Sequence, residues 1–322
     1  MPDPFQPAKP DNRVVHVTDV TLREYGQNVP ADRVDVFSPA VRVRIARELV
    51  HAGITSLEVL SCVHPRVAPA MSVNALNEVA SGLGLVSGVR FITLVPNRAG
   101  YRTFLETRLG PDGWNHVLGL FFSAVEAHNR LNLGRSIAET LEEVALVARD
   151  AASCGIRMVG YISAAFGYQE SGRESLVRPT VPEISTWVDR LIDLGVETVT
   201  LSDLQGVAGE QGTRTLWEDL LDARQGRDRE RLGYHPHHVS GDQAMANSEA
   251  AWNAGIRRFD ASLGGTGGCV TGAPGNQPTE GLVRRFHARG IATGIDEDRL
   301  HALSDWVREN VYNAVVATGE SL

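Results

Sequence analysis

The sequence predicts an α/β fold, a (β/α)8 TIM barrel with extra C-terminal helices. Three observations predict it. Short β-rich runs alternate with helical ones eight times, which is the count a closed parallel barrel needs. The alternation runs from residue 14 to about 289 without a break in composition. No GxGxxG follows the first strand, which removes the main support for a doubly wound open sheet, the alternative arrangement. GLGLVSG (82–88) precedes a strand and reads as a connecting loop. The expected organisation is a flexible, proline-rich tail at 1–12 and one catalytic barrel domain at 13–322, its C-terminal helices starting near 296.

Each element carries its own signal. VVHVTDV (14–20) opens the barrel as a strand, and the spacing from about 39 to 52 is helical. Strands follow at 56–61, 89–95 and 116–123, separated by helices near 72–82 and 98–108. Ser136 starts a long amphipathic helix to about Ser153, with Glu139 three residues on to complete a capping box. RMVGYIS (157–163), ETVTLSD (197–203), LGYHPH (232–237) and RRFDASL (257–263) are the remaining strands. Helices at 181–194, 212–224, 242–254 and 278–289 follow them in turn, and 296–317 reads as one or two more.

Composition narrows the class. The 322 residues carry a formal charge of −8, which argues against a nucleic-acid partner. No run of about 18 apolar residues exists and the N-terminus lacks an apolar signal core, so neither a membrane span nor a secretory leader is expected. Cys62, Cys154 and Cys269 are scattered and odd in number, which fits a reducing cytoplasm. Of the 31 basic residues, thirty are arginine and one is Lys9, in the tail. Schiff-base chemistry needs a desolvated lysine, so carbonyl chemistry here must use a metal or an oxyanion hole.

In such a barrel the chemistry sits at the C-terminal ends of the strands. Strand one is expected to end in Asp19, Thr21, Arg23 and Glu24. Strand two carries Glu58, strand five Tyr161 and Ser163, strand six Ser202 and Asp203, and strand seven His235, His237 and His238. His235 and His237, two apart, share a face of a strand. With a carboxylate such as Glu24 they make a divalent-metal site, suited to Mg²⁺, Mn²⁺, Co²⁺ or Zn²⁺. An exposed histidine-rich loop is the plain alternative, and a shifted register would substitute His238 for His237. Arg23 and Glu24, as neighbours on a strand end, should point different ways. Arg23 then either meets an anion or a developing enolate oxygen, or forms a barrel salt bridge with Glu58 or Asp203. Cys269 sits in a loop with six glycines between 264 and 275, where the backbone can approach a ligand closely.

These segments carry a resemblance. TLREYGQN (21–28), SLEVLSCVHPRVAPAMS (56–72), LVPNRAGY (94–101), GYISAAFG (160–167), LSDLQGVA (201–208), HPHHVSGDQAMAN (235–247) and GGTGGCVTGAPGNQPTE (264–280) follow the order of motifs in one family. The chain resembles the 3-hydroxy-3-methylglutaryl-CoA lyases and their superfamily of metal-dependent barrel lyases and Claisen synthases. The resemblance implies a retro-Claisen lyase yielding acetyl-CoA and a 3-oxo acid. It implies a divalent cation, Mg²⁺ or Mn²⁺ before Zn²⁺ or Co²⁺, held by Glu24, His235, His237 and Asn276. Arg23 would stabilise the enolate, oriented by Glu58. Asp203 would take the hydroxyl proton, Cys269 would handle proton transfer, and Gln27 and Tyr161 would line the pocket. An acyl-CoA or other acyl-thioester substrate and a homodimer are expected. The condensing direction, joining acetyl-CoA to a 2-oxo acid, is the runner-up, and a non-catalytic binding barrel the third reading. The chain departs from the lyase pattern in carrying Glu24 for the usual Asp, His238 for the Asp after the second His, and Leu204 for Thr. Its Cys-to-Asn loop is also two residues shorter. Changes around one pocket suggest a related reaction on another acyl group.

Overall fold

A computed structural model of the protein describes residues 14–107, 116–172, 175–237, 242–268 and 275–316. Eight parallel strands close into a barrel. They are β1 (His16–Asp19), β2 (Ser56–Ser61), β3 (Arg90–Val95), β4 (His116–Ser123), β5 (Met158–Ser163), β6 (Val199–Asp203), β7 (Leu232–Pro236) and β8 (Arg258–Ala261). Each strand pairs with its sequence neighbour, and β1 closes the ring by pairing with both β8 (Val17 opposite Phe259) and β2 (Asp19 opposite Leu57). Strands buried on both faces need continuous apolar runs rather than alternation, and every residue of β2, β6 and β7 is buried.

The helices expected between the strands form the outer ring. One example is α6 (Ile137–Ser153), which buries Leu141, Val144, Ala148 and Ala151 at helical spacing. Its predicted capping box is present: Glu139 N donates to Ser136 Oγ at 3.2 Å and Ser136 N donates to Glu139 Oε2 at 2.8 Å. The C-terminal tail forms a helix at Glu297–Val307, a π-turn at Arg308–Tyr312 and a short helix at Asn313–Val316.

The interior is divided. Ile92, Leu94, Val117, Val159 and Tyr161 make an apolar cluster of their own. The strands across from them carry polar groups: Thr18 Oγ1 donates to Ser56 Oγ at 3.1 Å, and Glu58 and Asp260 are buried. A register shift between Glu58 and Leu60 marks a bulge beside Glu58, a device that re-aims side chains at functional rims.

The main departure from the expected elements lies directly after β1. The strand stops at Asp19, and Thr21–Asn28 is a helix, α1. Asp19 Oδ1 accepts the Thr21 amide at 3.0 Å and turns the chain. Leu22, Tyr25 and Gly26 then face the core, a three-to-four spacing too short to stand out in a sequence window. A Cβ on Gly26 would lie 2.7 Å from Met71 Cε, so the close packing of this helix needs glycine there. A second unanticipated helix, Glu126–Leu133, follows β4, and a small antiparallel hairpin pairs Tyr168–Gln169 with Leu176–Val177.

Candidate active site

The helical turn of α1 places Arg23 and Glu24 at the C-terminal mouth of the barrel. The sequence reading had them diverge, as on a strand. Instead they form an ion pair, Arg23 Nη1 to Glu24 Oε1. Residues one apart on a helix differ by about 100° rather than 180°, so both long side chains reach the same pocket. Arg23 Nε also donates to Glu58 Oε2 at 2.7 Å, and Nη1 donates to Gln27 Oε1 at 3.2 Å. The guanidinium is therefore clamped by two carboxylates and an amide, and both salt-bridge readings of Arg23 reduce to Glu58. Charge from Glu24 and Glu58 outweighs burial and holds it protonated.

The histidines come from β7 and the residue after it. Both rings are buried, with Nε2 atoms 3.0 Å apart. Behind them, His235 Nδ1 meets Asp260 Oδ2 at 3.1 Å, and His237 Nδ1 meets the Gly275 carbonyl at 3.0 Å. A carbonyl and a carboxylate only accept, so each ring carries a proton on Nδ1 and turns its Nε2 inward. Facing each other at this distance, the two Nε2 atoms share either a proton, with His235 as donor, or a cation held between the rings and their neighbours. On the inward side, Glu24 Oε1 lies 3.9 Å from His235 Nε2. One donor atom each from Glu24, His235 and His237 fits within a 4.8 Å cluster. This donor set fits a divalent metal.

Two of the three groups have protonation states that suit a metal, and at His235 a cation would compete with a proton. Burial alone would raise the Glu24 carboxyl, but Arg23, His237 and His235 bring it down to about 2. Burial, then His235, lowers His237 to about 3. Burial also works against a charged His235, but the bond to Asp260 and the charges of Asp260 and Glu24 outweigh it and raise its pKa. Metal ligands must be deprotonated to bind, and Glu24 and His237 are so at neutral pH.

The loop after β8 closes on this cluster. Gly268 N donates to Glu24 Oε2 at 3.2 Å. Gly267 has φ +85°, and a Cβ there would sit 2.6 Å from Glu24 Cβ, so only glycine allows the approach. Asn276 bridges to His237, and its Nδ2 donates to the Thr266 carbonyl at 3.0 Å, which leaves Oδ1 as the acceptor for a ligand. Cys269 and His238 lie outside the described residues.

Together these groups line a cavity of about 480 Å³, with Arg23, Glu24, Gln27, Tyr161, His235 and His237 in its wall. Glu58 lies beneath it, fully buried; burial raises its pKa against the pull of Arg23. Burial and the charges of Glu58 and Asp260 keep the Tyr161 hydroxyl protonated well above the usual range, so it can serve as a donor.

Asp203 is different. Its Oδ1 accepts Val207 N at 3.0 Å and its Oδ2 accepts Ala208 N at 2.9 Å. Asp203 is wholly buried and lies outside the cavity wall, although Ser202 and Leu204 line it. In the structure this carboxylate anchors the loop after β6. Burial raises its pKa to about 6 despite those amides. Asp203→Asn should lose one amide acceptor and about 1–3 kcal/mol of stability, with metal affinity unchanged. Thermal unfolding beside a Mn²⁺ titration checks this; a hundredfold turnover loss with unchanged stability would return Asp203 to the chemistry.

Sequence reasoning missed Asp260 and Asn28. Asp260 had a signal, a lone carboxylate between Phe259 and Ala261 in a buried strand. Asn28 Nδ2 ties the Glu24 carbonyl (2.8 Å) to that of Gly268 (3.0 Å), and nothing in the sequence marked it.

A parallel barrel carrying a buried carboxylate and two imidazoles beside a clamped arginine defines the class: a barrel enzyme built for metal-assisted carbonyl chemistry. A family model described as HMGL-like matches residues 14–307, and the chain belongs to that family. It is a carbon–carbon lyase of the acyl-CoA type. The (R)-citramalyl-CoA lyase of Chloroflexus aurantiacus is 33% identical over 305 residues, covering 91% of this chain and 90% of its own length. The hydroxymethylglutaryl-CoA lyase of Pseudomonas mevalonii is 36% identical over 262 residues, covering 80% and 81%. Among solved structures, an HMG-CoA lyase from Acinetobacter baumannii in complex with coenzyme A and 3-methylmalate superposes with a TM-score of 0.79 at 25% identity, covering 98% of this chain and 99% of that one. These relatives are lyases, and the condensing direction is not favoured. Among the described residues no helix is long and apolar enough to cross a membrane.

Proposed function

We propose that the protein cleaves a 3-hydroxy-3-methylglutaryl-CoA-like thioester, with Mg²⁺ or Mn²⁺, into acetyl-CoA and an oxo acid. The observation that carries the reading is the pair of inward Nε2 atoms, 3.0 Å apart and flanked by Glu24, in the same cavity as Arg23. Glu24, His235, His237 and Asn276 would hold the cation, which when bound supplies Lewis-acid polarisation of the substrate's hydroxyl and carbonyl oxygens.

The remaining chemistry falls to the chain's own groups. The tertiary hydroxyl gives up its proton to Glu24, the carboxylate in the cavity wall, its oxygen forms the new carbonyl, and the C2–C3 bond breaks. The electron pair passes to C2 and spreads onto the thioester oxygen as an enolate. Arg23, fixed by Glu58 and Gln27, offers donors for that oxygen where charge develops. Tyr161 adds a hydroxyl donor to the same wall. A proton then returns to C2, the step assigned to Cys269. The scattered cysteines support a cytoplasmic setting, and a homodimer remains part of this reading.

Incubating the purified protein with Mn²⁺ and either 3-hydroxy-3-methylglutaryl-CoA or citramalyl-CoA, with mass-spectrometric product analysis, tests the reading. Acetyl-CoA with the matching oxo acid is the expected result. Intact thioesters in both reactions, with metal bound, would overturn the substrate assignment.

A further inference from the structure

We propose that Asp260 is a positioning residue: it locks His235 into the Nδ1-protonated tautomer and aims its Nε2 at the site, so that metal affinity depends on a carboxylate that touches neither metal nor substrate. This rests on the metal reading above.

The two histidines are backed unequally. His237 leans on a neutral carbonyl, whereas His235 leans on a carboxylate at 3.1 Å. Asp260 is 4% exposed, and among the described residues its ion-pair partner is His235. A buried carboxylate needs compensation. Here the contacting partner is the imidazole, which brings positive charge when a proton or a cation sits at its far nitrogen, while Arg90 acts only through space. A carboxylate behind an imidazole also raises its basicity as a ligand, and losing such a partner costs about 10–100-fold in metal affinity.

The backing groups are themselves joined. Gln277 Nε2 donates to the Asp260 carbonyl at 2.8 Å, and Gln277 Oε1 accepts Ser248 Oγ at 2.8 Å. Gln277 follows Gly275 and Asn276 directly. One short segment therefore ties the strand that carries Asp260 to the carbonyl behind His237 and to the candidate amide ligand. The Nδ1 partners of both rings are therefore held by one hydrogen-bonded segment.

The test uses the full-length protein. Mn²⁺ binding to metal-stripped protein, followed by electron paramagnetic resonance, should show a Kd about 10–100-fold higher in Asp260→Asn and Asp260→Ala. Circular dichroism shows whether each variant is folded. Histidine ¹⁵N NMR of the metal-free wild type should show His235, assigned with His235→Gln, protonated at Nδ1. Affinity within twofold of wild type in both folded variants overturns the proposal, and so does a wild-type His235 protonated at Nε2. A wild type with the Nδ1 tautomer but no Mn²⁺ binding overturns the metal reading and leaves the tautomer lock supported.

Discussion

Replacing His235 or His237 with alanine removes bound divalent metal and lowers turnover by about three orders of magnitude, close to 4 kcal/mol of transition-state stabilisation. The size follows from the geometry. Each imidazole supplies one inward lone pair, and each is already oriented by a partner on Nδ1. Taking one away leaves Glu24, a single ring and the neutral Asn276 amide, too weak a set for a divalent cation at micromolar concentration. The same change opens a buried cavity of ring size, with the stability cost such a cavity carries. Metal analysis of the purified variants, with turnover measured at saturating Mn²⁺, checks both halves. One metal per chain with turnover within tenfold of wild type would remove these residues from the ligand set.

Arg23→Lys is the second large effect. A lysine keeps the charge that Glu58 needs; a neutral residue would leave a buried carboxylate unpaired and cost several kcal/mol of stability. What lysine cannot keep is the planar fork that reaches Glu58 and Gln27 while still facing the cavity. A misplaced donor at a developing oxyanion costs about 10²–10³ in kcat. The account expects that loss in kcat, with KM and Mn²⁺ affinity changed only a few-fold. A loss confined to KM would make Arg23 a binding residue with no role in stabilising the enolate.

Much of this site could be read before any coordinates. Strong signals were those with a period: eight strands, their helices and the capping box at Ser136 all recur where patterning placed them. The HxH pair was legible because a spacing of two on a strand has one geometric meaning. Glu24 and Arg23 were found as residues, but their arrangement was not. Eight residues of helix, set by one Asp19 bond and a close glycine, leave too little pattern to compete with the strand before them. Asp203 shows the opposite case. A carboxylate at a strand end looks catalytic, and only coordinates reveal that each of its oxygens accepts a backbone amide. Asp260 shows the same limit from the other side, since its partner lies on a neighbouring strand, 25 residues away.

The most direct test is a Mn²⁺ titration of the metal-stripped protein with 3-hydroxy-3-methylglutaryl-CoA present, following acetyl-CoA by mass spectrometry and bound metal by electron paramagnetic resonance. No cleavage is expected before metal is added, and acetyl-CoA formation should rise with bound Mn²⁺ and saturate at one ion per chain. Full cleavage by stripped protein, or saturation with metal and no acetyl-CoA, would contradict this expectation.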